Sequence, residues 1–168
     1  VTHPLIRKVS FTGSTEIGRR IMELAARDLK RVSLELGGKS PNIVFADADW
    51  ERAANSSPMS VFANTGQDCC ARSRMYVERS IFEPFVERFV EATRRLVVGD
   101  PAREETQLGP LVSSAQRKVV EEFLDDARKQ GSRVATGGGR RAGKGWYLEP
   151  AVLLDVGPEH RCWREEIF

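Results

Sequence analysis

The sequence predicts an α/β fold with a largely parallel sheet. Two observations carry this. Short runs rich in Val, Ile, Phe and Thr alternate along the chain with amphipathic helical stretches, and the first of these pairs is joined by a glycine turn in the order strand, turn, helix. A composition of 40% hydrophobic and 30% charged residues over 168 positions suits one ordinary domain with its own core.

The elements follow in order. "KVSFTG" reads as a strand at Val9 to Thr12, and the next stretch as a helix whose apolar face carries Ile17, Ile21, Leu24 and Ala25. "KRVSLELGG" reads as a second strand ended by Gly37 and Gly38. "PNIVFADAD" is a third, leading to a helix capped at Asp47 or Asp49. That helix spans Trp50 to about Asn64 with Ala53, Ala54, Val61 and Phe62, and Pro58 is expected to kink or end it. "SRMYVER" reads as a strand, and "SIFEPFVERFVEATRRL" as a helix with Ile81, Phe82, Phe85, Phe89 and Val90 on one side. Ser113 caps a helix running through Val119, Val120, Phe123, Leu124 and Ala127 and stopping before Gly131. A strand "RVATGG", the turn "GGGRRAGKG" and the extended "WYLEPAVLLDV" complete the chain. There is no internal repeat.

Charge and cysteine content narrow the function classes. A net charge of +2, with cations and anions interspersed, does not point to nucleic acid or a membrane surface as partner. No apolar run is long enough to cross a bilayer, and the first ten residues lack the apolar core of a secretory signal. Three cysteines, two of them adjacent, make no disulfide framework, so a reducing cytoplasmic compartment is expected. The abrupt ends, Val1 and "REEIF", suggest a piece of a longer protein.

The stretch "NTGQDCCARSR" is the most informative on chemistry. A nucleophilic thiol needs a positive or hydrogen-bonding setting that favours its thiolate. Cys69 follows a glycine turn between Asp68 and Arg72, a setting that fits either a catalytic thiol or a packing one. Cys70 reads as the packing residue. Metal ligation is not expected, because no two cysteines have zinc spacing. His3 and His160 read as surface residues. Glu35 sits in an otherwise apolar strand, where a carboxylate has a raised pKa and can act as a general base, or is merely paired at a sheet edge. "FTGSTEIG" offers a helix start suited to a phosphate or a simple cap.

Taken together these stretches resemble the aldehyde dehydrogenase superfamily. Gly66, Gln67, Cys69, Ala71 and Arg74 match its cysteine signature, and Glu35, Leu36, Gly37, Gly38 and Lys39 match its general-base motif. Gly13, Ser14, Thr15 and Gly18 match its cofactor-side motif, and the chain ends inside a fourth, Glu-Glu-Ile-Phe. The resemblance implies a three-layer α/β/α fold cut at both ends. Residues 1–36 would end the dinucleotide-binding domain and 37–168 would form the larger part of the catalytic domain.

It further implies oxidation of an aldehyde with NAD or NADP. Cys69 is then the nucleophile, Glu35 the base that activates water, and the Cys69 backbone N–H part of an oxyanion site. Gly13, Ser14, Gly18, Leu36, Gly37, Glu166 and Phe168 contact the cofactor, no metal takes part, and the full-length enzyme is a homodimer or homotetramer. Asp68 resembles members acting on amino-aldehydes, unless it pairs with Arg72 or Arg74. A CoA-acylating relative lacks the hydrolytic glutamate. A non-catalytic remnant or interaction module on the same scaffold, or a redox-sensing pair of cysteines, are the other readings.

Overall fold

The computed structural model describes residues 1–168, which separate into two compact units, Val1–Gly38 and Lys39–Phe168. In the first, β1 (Lys8–Gly13) and β2 (Arg31–Leu36) pair in parallel, with Val9 opposite Val32 and Gly13 opposite Leu36. The crossover between them is α1 (Thr15–Ala26), as a parallel pair requires. Ser14 caps α1 by accepting the Ile17 N–H at 3.3 Å. Gly18, Ile21 and Ala25 form its buried stripe. A Cβ at Gly18 would lie 2.8 Å from a Leu36 methyl, so the missing side chain is what lets helix and strand approach. Ile17, expected on the apolar face, is exposed, since the buried stripe runs through Gly18 instead.

In the second unit, β3 (Pro41–Val44) and β4 (Arg74–Val77) pair in parallel. Between them runs α2 (Trp50–Phe62), capped by Asp49, which accepts the Arg52 N–H at 3.1 Å. Pro58 does not end this helix. Its ring is fully buried, and packing of α2 against α3 (Phe82–Arg94) holds the helix together across the missing N–H. Val44, Ala54, Ile81, Phe85 and Phe89 make the core between these elements, with the Phe85 and Phe89 rings stacked 6.1 Å apart. Phe82, expected there, is left exposed on the outer side of α3.

Next, α4 (Ser114–Lys129) is capped by Ser113, as its sequence predicts. Its Phe123, Leu124 and Ala127 are buried, whereas Val119 is not. An antiparallel pair follows, β5 (Arg133–Thr136) with β6 (Val152–Leu154), and then a last helical turn, α5 (Arg161–Arg164). Within "WYLEPAVLLDV" only Val152–Leu154 forms a strand, and Leu148 makes an isolated bridge to Arg140. The sheet is thus three separate two-stranded ladders, two parallel and one antiparallel, with helices packed on them.

A loop between α3 and α4 closes on itself at its base, where Gly99 donates to the Leu108 carbonyl and Leu108 to Val97. Its tip, around Arg103, is exposed. No helix is long and apolar enough to cross a membrane.

Candidate active site

The thiol turn begins with strain. Asn64, Thr65 and Gly66 all have positive φ, at 52°, 60° and 77°. For a β-branched threonine this conformation is costly, about 1–3 kcal/mol, and persists only where neighbours enforce it. The neighbours are visible. Thr65 Oγ1 donates to the Gly109 carbonyl at 3.2 Å, and Asn64 Nδ2 donates to the Gln67 carbonyl at 2.8 Å. Gln67 Oε1 accepts the Val112 N–H at 3.0 Å. Two side chains therefore anchor the turn to a segment more than forty residues further along the chain.

Beyond Gln67 the backbone folds back, with Ala71 donating to the Asp68 carbonyl at 3.0 Å. Asp68 Oδ1 accepts the Cys70 N–H at 2.9 Å, so its carboxylate caps this turn and does not pair with Arg72 or Arg74. Cys69 and Cys70 are both exposed, and their sulfurs lie 3.8 Å apart. Cys70 is therefore not a packing residue, because the turn points it outward as well. The buried cysteine is Cys162, against Phe123 and Ala127.

The electrostatics of Cys69 differ from the activated setting its sequence context suggests. The Cys70 thiol, by hydrogen bond and then by charge, pushes the Cys69 pKa up. Slight burial and the Asp68 charge add to this, and only its own backbone N–H works the other way.

Lys39 and Arg74 form a second cluster. Arg74 donates from Nε and Nη2 to the Lys39 carbonyl, at 3.0 and 2.5 Å, and its guanidinium lies near both the Tyr76 and Trp163 rings. Lys39 is half-buried. Burial above all lowers its pKa to about 8, with Arg74 adding to the effect while Cys162 and Glu166 oppose it. In the sequence Lys39 stands only as a motif position. Its buried ammonium is a tertiary property with no local signal.

Among the other named residues, Glu35 lies on an exposed position of β2 opposite Thr12, so the apolar surroundings expected for it are not supplied by its own unit. Gly13 and Leu36 stand together at the carboxyl ends of β1 and β2, immediately before Ser14 and the start of α1, with Gly37 following. The first-turn N–H groups of a helix have no intrahelical acceptor, and Ser14 takes one of them. Such a helix start beside strand ends fits the phosphate of a nucleotide.

Glu166 is half-buried, and Phe168 is partly exposed. Gln116 of α4 holds this segment by donating to the carbonyls of Ile167 and Phe168, at 3.0 and 2.6 Å. His160 is not a surface residue. It is buried, with Nδ1 accepting the Gly157 N–H at 3.0 Å, because it closes the turn that starts α5. His3 is exposed, as expected.

The sequence model of the aldehyde dehydrogenase family matches residues 1–168. The chain belongs to the aldehyde dehydrogenase family. It is 46% identical over 171 aligned positions to betaine aldehyde dehydrogenase 1 of Rhizobium meliloti (strain 1021), which covers 100% of this chain and 35% of that protein. It superposes with a TM-score of 0.96 and 42% identity on an NAD+ complex of aldehyde dehydrogenase from Bacillus cereus, over 99% of this chain and 34% of that one. An NADP dependent enzyme of E. coli gives a TM-score of 0.95 at 42% identity, over 99% and 34% of the two chains. These superpositions bear out the α/β aldehyde dehydrogenase fold. The chain spans about a third of the length of the curated relatives it matches.

Proposed function

We propose that this chain carries the reactive centre of an enzyme that oxidises an aldehyde to its carboxylic acid with NAD or NADP. The observation that supports this best is the thiol turn, in which strained, side-chain-anchored backbone presents an exposed Cys69 in a chain of this family. In the proposed sequence the Cys69 thiolate adds to the aldehyde carbon, forming a C–S bond and a thiohemiacetal oxyanion that the Cys69 backbone N–H stabilises. The nicotinamide, when bound, supplies the acceptor for the hydride that leaves this carbon. The resulting Cys69 thioester is attacked by water that gives its proton to Glu35, and the acid departs as Cys69 is released. Because Cys70 and Asp68 bias Cys69 toward its protonated form, attack requires that bias to be overcome.

Residues proposed to hold the cofactor are Gly13, Ser14 and Gly18 at the start of α1 for phosphate, Leu36 and Gly37 beside it, Glu166 for a ribose hydroxyl, and Phe168 against the nicotinamide. Glu35 favours water over coenzyme A as the acyl acceptor.

The test is the absorbance of reduced nicotinamide when purified protein meets a panel of aldehydes with NAD or NADP. We expect turnover from a product of full family length, none from Cys69→Ala, and from Glu35→Gln a single burst without further turnover. The 168-residue chain alone is expected to bind NAD poorly and to stay silent. Turnover that persists in Cys69→Ala would overturn the reading.

A further inference from the structure

The turn at Cys69 gathers three donors that aldehyde chemistry does not use together. The Asp68 carboxylate, Cys69 Sγ and Cys70 Sγ all lie within 4.8 Å of one another. The two sulfurs are 3.8 Å apart. Tetrahedral zinc, with Zn–S bonds near 2.3 Å, holds two of its sulfur ligands about 3.8 Å apart. The match has a structural cause. On an extended strand consecutive side chains point to opposite faces, but the Ala71 to Asp68 hydrogen bond folds these residues into a turn and brings their donors to one side. The Cys70 N–H holds the carboxylate at the turn through Oδ1. All three side chains are exposed, so an ion and its water can reach them.

We propose that Asp68, Cys69 and Cys70 form a binding site for a thiophilic divalent cation, zinc or cadmium, with water completing the tetrahedron. On binding, each sulfur forms a bond to the metal and gives its proton to solvent, so two protons leave per ion and no electrons move. Thiolate donors select such ions over magnesium and calcium. Binding itself is independent of the proposed enzyme activity. Its consequence, that an occupied site blocks the nucleophile, rests on that reading of Cys69.

The probe is cadmium chloride titrated into the reduced 168-residue chain, followed by the ultraviolet sulfur-to-cadmium charge-transfer band. We expect one ion per chain in the wild type and in Cys162→Ala. Affinity should fall by about ten-fold or more in Cys70→Ala and by about ten-fold in Asp68→Asn. Cys70 and Asp68 are exposed, so these two substitutions leave the core intact, and an unchanged circular dichroism spectrum checks all three variants, the buried Cys162→Ala included. Zinc should compete for the same site. No band at excess cadmium, unchanged affinity in Cys70→Ala, or a band lost only in Cys162→Ala would each overturn the site. In the full-length product zinc should inhibit aldehyde oxidation reversibly, with the inhibition weakened in Asp68→Asn by the same factor as binding. Binding without inhibition would keep the metal site and overturn the role of Cys69 as nucleophile.

Discussion

Replacing Lys39 by methionine should stabilise the Lys39–Phe168 unit at neutral pH and remove one component of its pH dependence. Methionine keeps the packing of the lysine stem and deletes the charge. Burial is the main reason that the folded chain releases the Lys39 proton at about 8, against an ordinary value of 10.5. Between those two values the unfolded state binds more protons than the folded one, so this group makes wild-type stability rise with pH across the window. The difference is roughly 2.5 units, or about 3.4 kcal/mol at about 1.36 kcal/mol per unit.

Partial exposure lets water screen the charge, which reduces the expected effect to about 1–2 kcal/mol. All three tryptophans, Trp50, Trp146 and Trp163, lie in this unit, so urea unfolding followed by their fluorescence reports on it. Measured in steps from about pH 7 to about pH 10.5, the gain of Lys39→Met over wild type should be largest at the acid end and shrink toward zero at the alkaline end. Other titrating groups cancel in the difference. A gain that does not vary with pH would refute the reasoning. So would a variant less stable than wild type at neutral pH, which would mean that attraction to Glu166 outweighs burial.

Gln67→Ala removes the acceptor for the Val112 N–H. Hydrogen exchange at Val112 should speed up by the equivalent of about 0.5–1.5 kcal/mol, and Gln67→Glu should restore much of the protection. Phe85→Ala deletes a fully buried ring from the α2–α3 core and should cost about 3–5 kcal/mol in chemical denaturation. Glu121 is held below the ordinary carboxylate value of 4.5, first by hydrogen bonds from Arg140 at 2.5 and 2.7 Å. The folded-state pKa is lowered, so the stability from this pair is present above the ordinary value and lost as pH falls through the lowered one. Acid unfolding of Glu121→Gln should be less steep than that of wild type over this range.

Much of the fold is written locally. Ser14, Asp49 and Ser113 cap the helices that follow them because a short polar side chain can reach an N–H two or three residues on, and that signal survives without tertiary context. Pro58 misleads for the opposite reason. The packing that carries α2 through it is with α3, more than twenty residues away. At the candidate site the sequence shows which residues are present but not how they face. Adjacent cysteines read as one inward and one outward only if the chain is extended, and the turn closed by Asp68 makes both outward. His160 reads as surface because histidine in a polar stretch usually is, whereas the Gly157 N–H that it accepts is a local contact visible only once the turn is formed. The anchoring of Gln67 to Val112 spans too much chain for any local pattern to reveal.

That anchoring makes the loop before α4 useful to an engineer. Its exposed tip around Arg103 and Glu104 is tied off at the base by the Gly99 and Leu108 hydrogen bonds, so a peptide tag or fluorophore placed there should leave the thiol undisturbed. The base is different. Val112→Pro takes away the N–H that Gln67 accepts, and a cysteine-reactive dye should register that change at Cys69, a residue the substitution never touches.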